Sequence, residues 1–237
     1  MRDSYNRKGI FKFMGEVEKR LEYGSDEYIR DMYKMFPNMA EVLEEKEGER
    51  FSLKKFIVTE KDVCRAKSFD FRGEYSEFIP GEYIKLVDKG GGGIVMSDTP
   101  MEKSTNRKFY HHANGDVLVG GLGLGMILLA AQDKPEVKSI TVIELHQEVI
   151  NLVAEQLPLN DKVSIICDDI RTWKPGKGVK YDTVYFDIWN VVCGDFWEEH
   201  VKLHRKFAQR LNRNNPNYWM NSWRKYDFKR ESVSWRG

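Results

Sequence analysis

Cysteine is scarce in this chain: three in 237 residues, Cys64, Cys167 and Cys193, set far apart. An odd, sparse set excludes a disulfide framework and a cysteine-built zinc cluster, and it is the usage of a reducing compartment. Excess charge of one sign is also missing. Lys and Arg total 38 against 37 Asp and Glu, so a net charge of +1 gives no general pull toward nucleic acid or membrane. No apolar run approaches the roughly 20 residues of a membrane span. The first residues, MRDSYNRKGIFKFMGEVEKR, are charged throughout and hold no signal-peptide core. These absences predict a soluble, cytoplasmic protein with no membrane partner. The composition, 41% hydrophobic and 32% charged, allows one core with an appendage or two small domains.

Three blocks follow from the pattern. Residues 1–50 read as a helical extension: Tyr5–Tyr23 and Ser25–Phe36 carry apolar residues at helical spacing, Pro37-Asn38 marks a break, and Met39–Glu47 predicts a third short helix. This block holds no chemical motif and suits covering a core edge, or a second copy of the chain in a homo-oligomer. Residues 51–113 read as a small β-rich region and a linker helix. Phe51–Thr59, Ser68–Phe71 and Tyr83–Val87 have strand composition, and Gly90–Gly93 before Ile94-Val95-Met96 predicts a hairpin. A phosphate cradle at those glycines is disfavoured, since no Lys-Ser/Thr follows and no helix begins there. Asp98-Thr99-Pro100 opens a helix through Ala113, which reads as a capped surface helix.

Residues 114–237 carry the chemistry. Asp116–Met126 reads DVLVGGLGLGM: an apolar strand, a glycine turn, then an apolar helix. That geometry brings backbone N–H groups to a ligand, and glycine there removes the side chain that would block it. The spacing from Gly121 through Gly123 to Gly125 is G-x-G-x-G. The dinucleotide fingerprint needs glycine where Met126 stands, which disfavours a nicotinamide dehydrogenase. Strand and helix then alternate: Ser139–Ile143, Gln147–Leu157, Val163–Cys167, Tyr181–Phe186, Asp195–Leu211 and Tyr218–Trp223. This predicts an α/β, Rossmann-like, mostly parallel sheet.

Acids follow successive strands: Glu144, Asp168-Asp169 and Asp187. In an open parallel sheet the ligand crevice lies outside those strand ends. Glu144, 19 residues after Gly125, is placed to accept hydrogen bonds from a ribose diol. Asp168 is placed for an exocyclic amine. Asp187 is placed to orient a nucleophile, take its proton or face a cation. The bland alternative is that such carboxylates only cap the loops that follow them.

These segments resemble the class I S-adenosylmethionine-dependent methyltransferase superfamily over residues 116–223. DVLVGGLGLGM is similar to its first motif, SITVIELHQEVI to its ribose-binding segment, VSIICDDI to its adenine-binding segment, and YDTVYFDIW to the strand bearing the active-site acid. Within it, Val119, the form VIELHQEVI and the preceding β-rich block look most like the spermidine synthases. The resemblance implies S-adenosylmethionine as cofactor, held by Gly121, Gly123, Gly125, Glu144, Asp168 and Asp169, with Asp187 as the catalytic residue and a small molecule as acceptor. It departs at Leu124, where aminopropyltransferases carry an acid, and at Asn190, where they carry the second acid of D-x-x-D. No (D/N)-P-P-(Y/F) follows the fourth strand, so base methylation is not implied. Only 14 residues follow Trp223, which predicts a sheet ending at its fifth strand. Aminopropyl transfer and non-catalytic nucleoside binding are the alternatives.

Two further patterns stand in the C-terminal part of the sequence. His200 and His204 are spaced like a metal pair but lack a third ligand, which favours a solvated helix face. In the tail, Trp219, Trp223, Tyr226, Phe228 and Trp235 alternate with Arg224, Lys225, Lys229, Arg230 and Arg236. Such a run suits either single-stranded nucleic acid or packing on the sheet.

Overall fold

In a computed structural model, residues 26–69 and 79–234 are described. The chain opens with helix α1 (Asp26–Met35) and a single turn α2 (Met39–Val42), entered through Asn38, whose side chain accepts from the Ala40 N–H at 3.2 Å. Strands β1 (Lys46–Glu47) and β2 (Phe51–Val58) lead to helix α3 (Glu60–Phe69). Strands β3 (Gly81–Asp88) and β4 (Gly93–Ser97) complete a four-stranded antiparallel sheet in the order β1-β2-β3-β4. Helix α4 (Pro100–His112) then leads into the second sheet.

That sheet is built from β5 (Gly115–Gly120), α5 (Met126–Gln132), β6 (Val137–Glu144), α6 (Gln147–Val153), β7 (Val163–Cys167), β8 (Thr183–Phe186), α7 (Trp197–Ala208) and β9 (Trp219–Ser222). Helix α8 (Lys225–Ser234) follows. The order is β7-β6-β5-β8-β9, with every pair parallel. This is a Rossmann-like, doubly wound sheet whose strand order reverses beside β5. Val117, Leu118 and Val119 are fully buried at its centre, as an apolar run covered by helices on both faces must be. Among the described residues the parallel sheet has five strands, and α8 follows β9.

The two sheets share one apolar core, and charged groups fix their docking. Glu148 on α6 accepts from the backbone N–H groups of Arg50 and Phe51 at 3.0 and 3.1 Å, and Phe51 packs on His146 at 4.8 Å between ring centroids. Asp98 is fully buried. One oxygen accepts from Met39 N and the other from Ile84 N, both at 2.9 Å, so a single carboxylate fastens α2 to β3. Burial pushes its pKa up, against those bonds and the nearby Lys103.

Several expectations needed correction. Met39–Glu47 is not one helix: α2 stops at Val42, and Lys46-Glu47 pair with Leu53-Ser52. Ser68 and Phe69 end helix α3 instead of opening a strand, and residues 70–71 lie outside the described residues, as does Tyr5–Tyr23. Helix α4 begins at Pro100 as expected, but it is no surface helix. Glu102, Lys103, Asn106 and Phe109 are buried, because α4 is wedged between α1 and α5.

Candidate active site

The glycine turn joins β5 to α5, and its glycines have backbone reasons to be glycine. Gly121 sits at φ +97°, and a Cβ there would stand 2.1 Å from the Asp187 carbonyl oxygen. Gly123 sits at φ +54°, and a Cβ there would meet Met96 Sδ at 2.3 Å. Gly125 starts α5 beneath Leu157 and does not line the cavity. The expected row of free N–H donors is also largely absent. Gly121 N is given to Ile143 O, Leu122 N to Glu144 Oε2, and Gly125 N to Leu122 O, each at 2.9 Å. Leu124 N points at Met96 Sδ, 3.4 Å away. The turn therefore supplies space more than donors.

A cavity of about 270 Å³ opens beside the turn, outside the strand ends. Gly121, Gly123, Glu144, Asp168, Asp169 and Asp187 all line it, so six of the seven expected site residues converge on one space. Their states differ. Glu144 is buried and braced: Oε2 takes Leu122 N and Oε1 takes His146 N, both at 2.9 Å. Each oxygen keeps a second lone pair. Asp168 is exposed at the mouth, and Oδ1 caps Asp169 N at 2.7 Å. Asp169 Oδ1 accepts Arg171 N at 2.9 Å and pairs with the Arg171 guanidinium. These three cap the loops that follow their strands.

Asp187 differs from them. Its backbone N–H is given to Gly120 O at 2.8 Å, which fixes it at the tip of β8, while its carboxyl faces the cavity. Burial pushes that carboxyl up to about 7, with the Asn106 amide acting against the shift. Beside it stands a residue that the sequence reading overlooked. Glu102 on α4 is 8% exposed and lines the same cavity. Burial, and secondly the charge of Asp187, push it up to about 8, eased by Trp223 and Arg224. The i, i+4 spacing of Glu102 and Asn106 put them on one face of α4, but the sequence did not say which way that face turns. Trp189, two residues past Asp187, and Trp223, at the end of the last strand, supply apolar wall; both are buried. Trp189 is held by its N–H to Glu199 Oε2 at 2.7 Å and by stacking on His200 at 3.6 Å.

The remaining signals resolve structurally. His200 and His204 are not on a solvated face. Both bond to Ser222 Oγ, at 3.1 and 2.7 Å, and burial lowers them to about 4 and about 3. Among the described residues no group of three or more His, Cys, Asp or Glu could hold a metal ion. In the tail, Trp223 and Phe228 are buried and Trp219 stacks on His112 at 4.8 Å. Their faces are spent on packing, while Tyr226 is 70% exposed. Trp235 and Arg236 lie outside the described residues. No described helix is long and apolar enough to cross a membrane.

No family model matches the chain, and no curated protein matches it. Among solved structures it is similar to the CcbJ methyltransferase from Streptomyces caelestis, at 17% identity over 45% of this chain and 41% of that one, with a TM-score of 0.36. It is similar to DesVI from Streptomyces venezuelae, at 17% identity over 50% and 49%, with a TM-score of 0.38. It is also similar to the N-methyltransferase NodS from Bradyrhizobium japonicum WM9 in complex with S-adenosyl-L-homocysteine, at 15% identity over 48% and 58%, with a TM-score of 0.39. The chain spans between 41% and 58% of the length of these three structures. The likeness covers about half of the chain at low identity, so the functional reading rests on the residues of the cleft itself.

Proposed function

We propose that the cleft binds S-adenosylmethionine and directs its methyl group to a small-molecule acceptor. The observation that carries this is the meeting of the glycine turn with Glu144, Asp168 and Asp187, from the ends of three successive parallel strands, around one cavity. Glu144 is oriented for a ribose diol by its two backbone bonds, with lone pairs left over. Asp168 at the mouth suits the adenine amine. Gly121 and Gly123 give the amino-acid end its room. Four N–H groups of the turn are already committed, which suits a cofactor without phosphates better than a dinucleotide.

When bound, the cofactor supplies an electrophilic methyl group. The protein's share is to fix the acceptor in line with it and to keep water out. The buried walls Trp189 and Trp223 exclude water, and Asp187 meets the acceptor. Aminopropyl transfer is the less favoured reading, because Asn190 is exposed and gives its amide to Gly92 O at 3.2 Å, outside the acid pair.

Calorimetry with S-adenosylmethionine, S-adenosylhomocysteine and decarboxylated S-adenosylmethionine tests this. Binding of the first two at micromolar concentration is expected. Preference for the decarboxylated form would move the assignment to aminopropyl transfer, and no binding of any would end it. A mass spectrum of the protein as purified, read for a co-bound nucleoside, is the companion measurement.

A further inference from the structure

We infer that Glu102 and Asp187 form one carboxyl pair that receives an amine acceptor as its ammonium and removes the ammonium proton. The pair stands on geometry. Asp187 is fixed at the tip of β8 and Glu102 comes from α4, a helix that lies before the Rossmann-like sheet in sequence; both line the cavity beside the glycine turn. Glu102 is more than nine-tenths buried, and its carboxylate enters no ion pair among the described residues. The indole N–H of Trp223 faces it and is shared with Thr105 Oγ1, 3.2 Å away. Arg224, whose charge acts on it, gives its Nε to Asp227 at 2.8 Å.

Two carboxyls that face one buried cavity ionise in turn, because the charge on the first disfavours charge on the second. Once its first proton leaves, the pair carries negative charge, and Arg224, the cation that acts on it, is itself ion-paired with Asp227. A buried anion in that position is costly unless a cation joins it. A neutral hydroxyl acceptor would leave it unanswered, whereas an ammonium would answer it. The cavity wall agrees in kind: Trp189 and Trp223 line it, and the Arg224 guanidinium lies 5.6 Å over the Trp223 ring, so this wall already receives a cation. The other groups turned toward the pair are the Tyr185 hydroxyl, itself pushed up by burial and by both carboxyls, and the Asn106 amide. Neither is cationic.

The ammonium N–H bond breaks and the proton passes to the singly protonated pair, which becomes neutral. The freed nitrogen lone pair then forms the N–C bond to the methyl carbon, while the C–S bond breaks with its electrons to sulfur. The products are a protonated methylamine and a neutral thioether. This second half rests on the methyl-transfer reading above; recognition of the ammonium does not.

The test uses the full-length protein, with and without S-adenosylhomocysteine, and saturation-transfer NMR of paired probes: benzylamine against benzyl alcohol, and butylamine against butan-1-ol. The amines should bind and the alcohols should not. Glu102→Gln should weaken amine binding about tenfold or more, the scale of a buried charged hydrogen bond. It should leave S-adenosylhomocysteine affinity unchanged and the melting temperature equal or higher, so misfolding cannot imitate the result. Alcohols binding as well as amines, amines that do not bind, or amine binding unaffected by Glu102→Gln would each overturn the proposal. Amine binding that depends on Glu102, in a protein that ignores S-adenosylhomocysteine, would retain the ammonium site and remove methyl transfer.

Discussion

The carbonyl oxygen of Asp187 lies 2.1 Å from where a Cβ on Gly121 would stand. The first residue of the glycine turn and the acid at the tip of β8 therefore share one space, and neither can move without the other. Gly121→Ala should destabilise the fold by about 2 kcal/mol or more, through both the positive φ and the backbone clash. Gly178, at φ +82° with nothing within 4 Å, is the control. Gly178→Ala should cost only about 1 kcal/mol, the strain of the left-handed backbone alone. Urea denaturation of the two variants makes the comparison.

Glu144→Gln keeps the shape but turns an amide donor toward Leu122 N–H or His146 N–H. A loss of about 1–3 kcal/mol in stability is expected from one unsatisfied buried donor. S-adenosylhomocysteine affinity should fall as well, by calorimetry. A stable variant with unchanged affinity would remove Glu144 from the cofactor site.

The raised carboxyls give stability a direction in pH. Asp187 and Glu102 titrate near 7 and 8 in the fold, against 3.8 and 4.5 when free. Between about pH 4 and 8 the folded chain holds protons that the unfolded chain has released, so stability falls as pH rises through that window. The contribution is complete below pH 4. Glu102→Gln should therefore gain on the parent protein as pH goes from about 5 to about 9, read as the difference in urea midpoints.

His200 and His204 act in the opposite sense. Folded values of about 4 and about 3 lie below the ordinary 6.5, so the fold refuses protons that the unfolded chain accepts. Their neutral state stabilises the protein above pH 6.5, and this is lost as pH falls toward 4 and 3. His204→Gln should give a shallower loss of stability between about pH 6 and 4 than the parent chain shows.

Phe228 on α8 is fully buried among His200, Trp189 and Trp223, with ring centroids 4.3, 5.7 and 6.1 Å away. Phe228→Ala should cost about 3–5 kcal/mol. It should also loosen the Trp189 wall, seen as a red shift and quenching of tryptophan emission. An unchanged melting temperature would show that α8 is not docked as described.

Much of the parallel sheet was legible because β-branched and apolar runs at regular spacing, closed by acids, allow few other arrangements. Val117–Val119 and Val163–Cys167 are cases in point. The convergence of Glu144, Asp168 and Asp187 followed from one rule about strand ends. Glu102 was not legible. It sits in a helix of ordinary capped composition, and only the tertiary wedge between α1 and α5 decides that its charged face turns inward. The reason for the glycines was half legible. Their spacing pointed to a ligand, while the atoms that forbid a Cβ belong to Asp187, Met96 and Leu157. The buried state of the His200 and His204 pair depended on Ser222, 22 and 18 residues away, which no local spacing could supply.

Asp98 sets a rule for shortening this chain. Its two oxygens are answered by backbone donors from opposite sides of residue 50, Met39 on one and Ile84 on the other. A fragment starting at Phe51 would keep the whole antiparallel hairpin β3–β4 and still strip one donor from a fully buried acid. The dividing line drawn by composition near residue 50 is thus a poor place to cut.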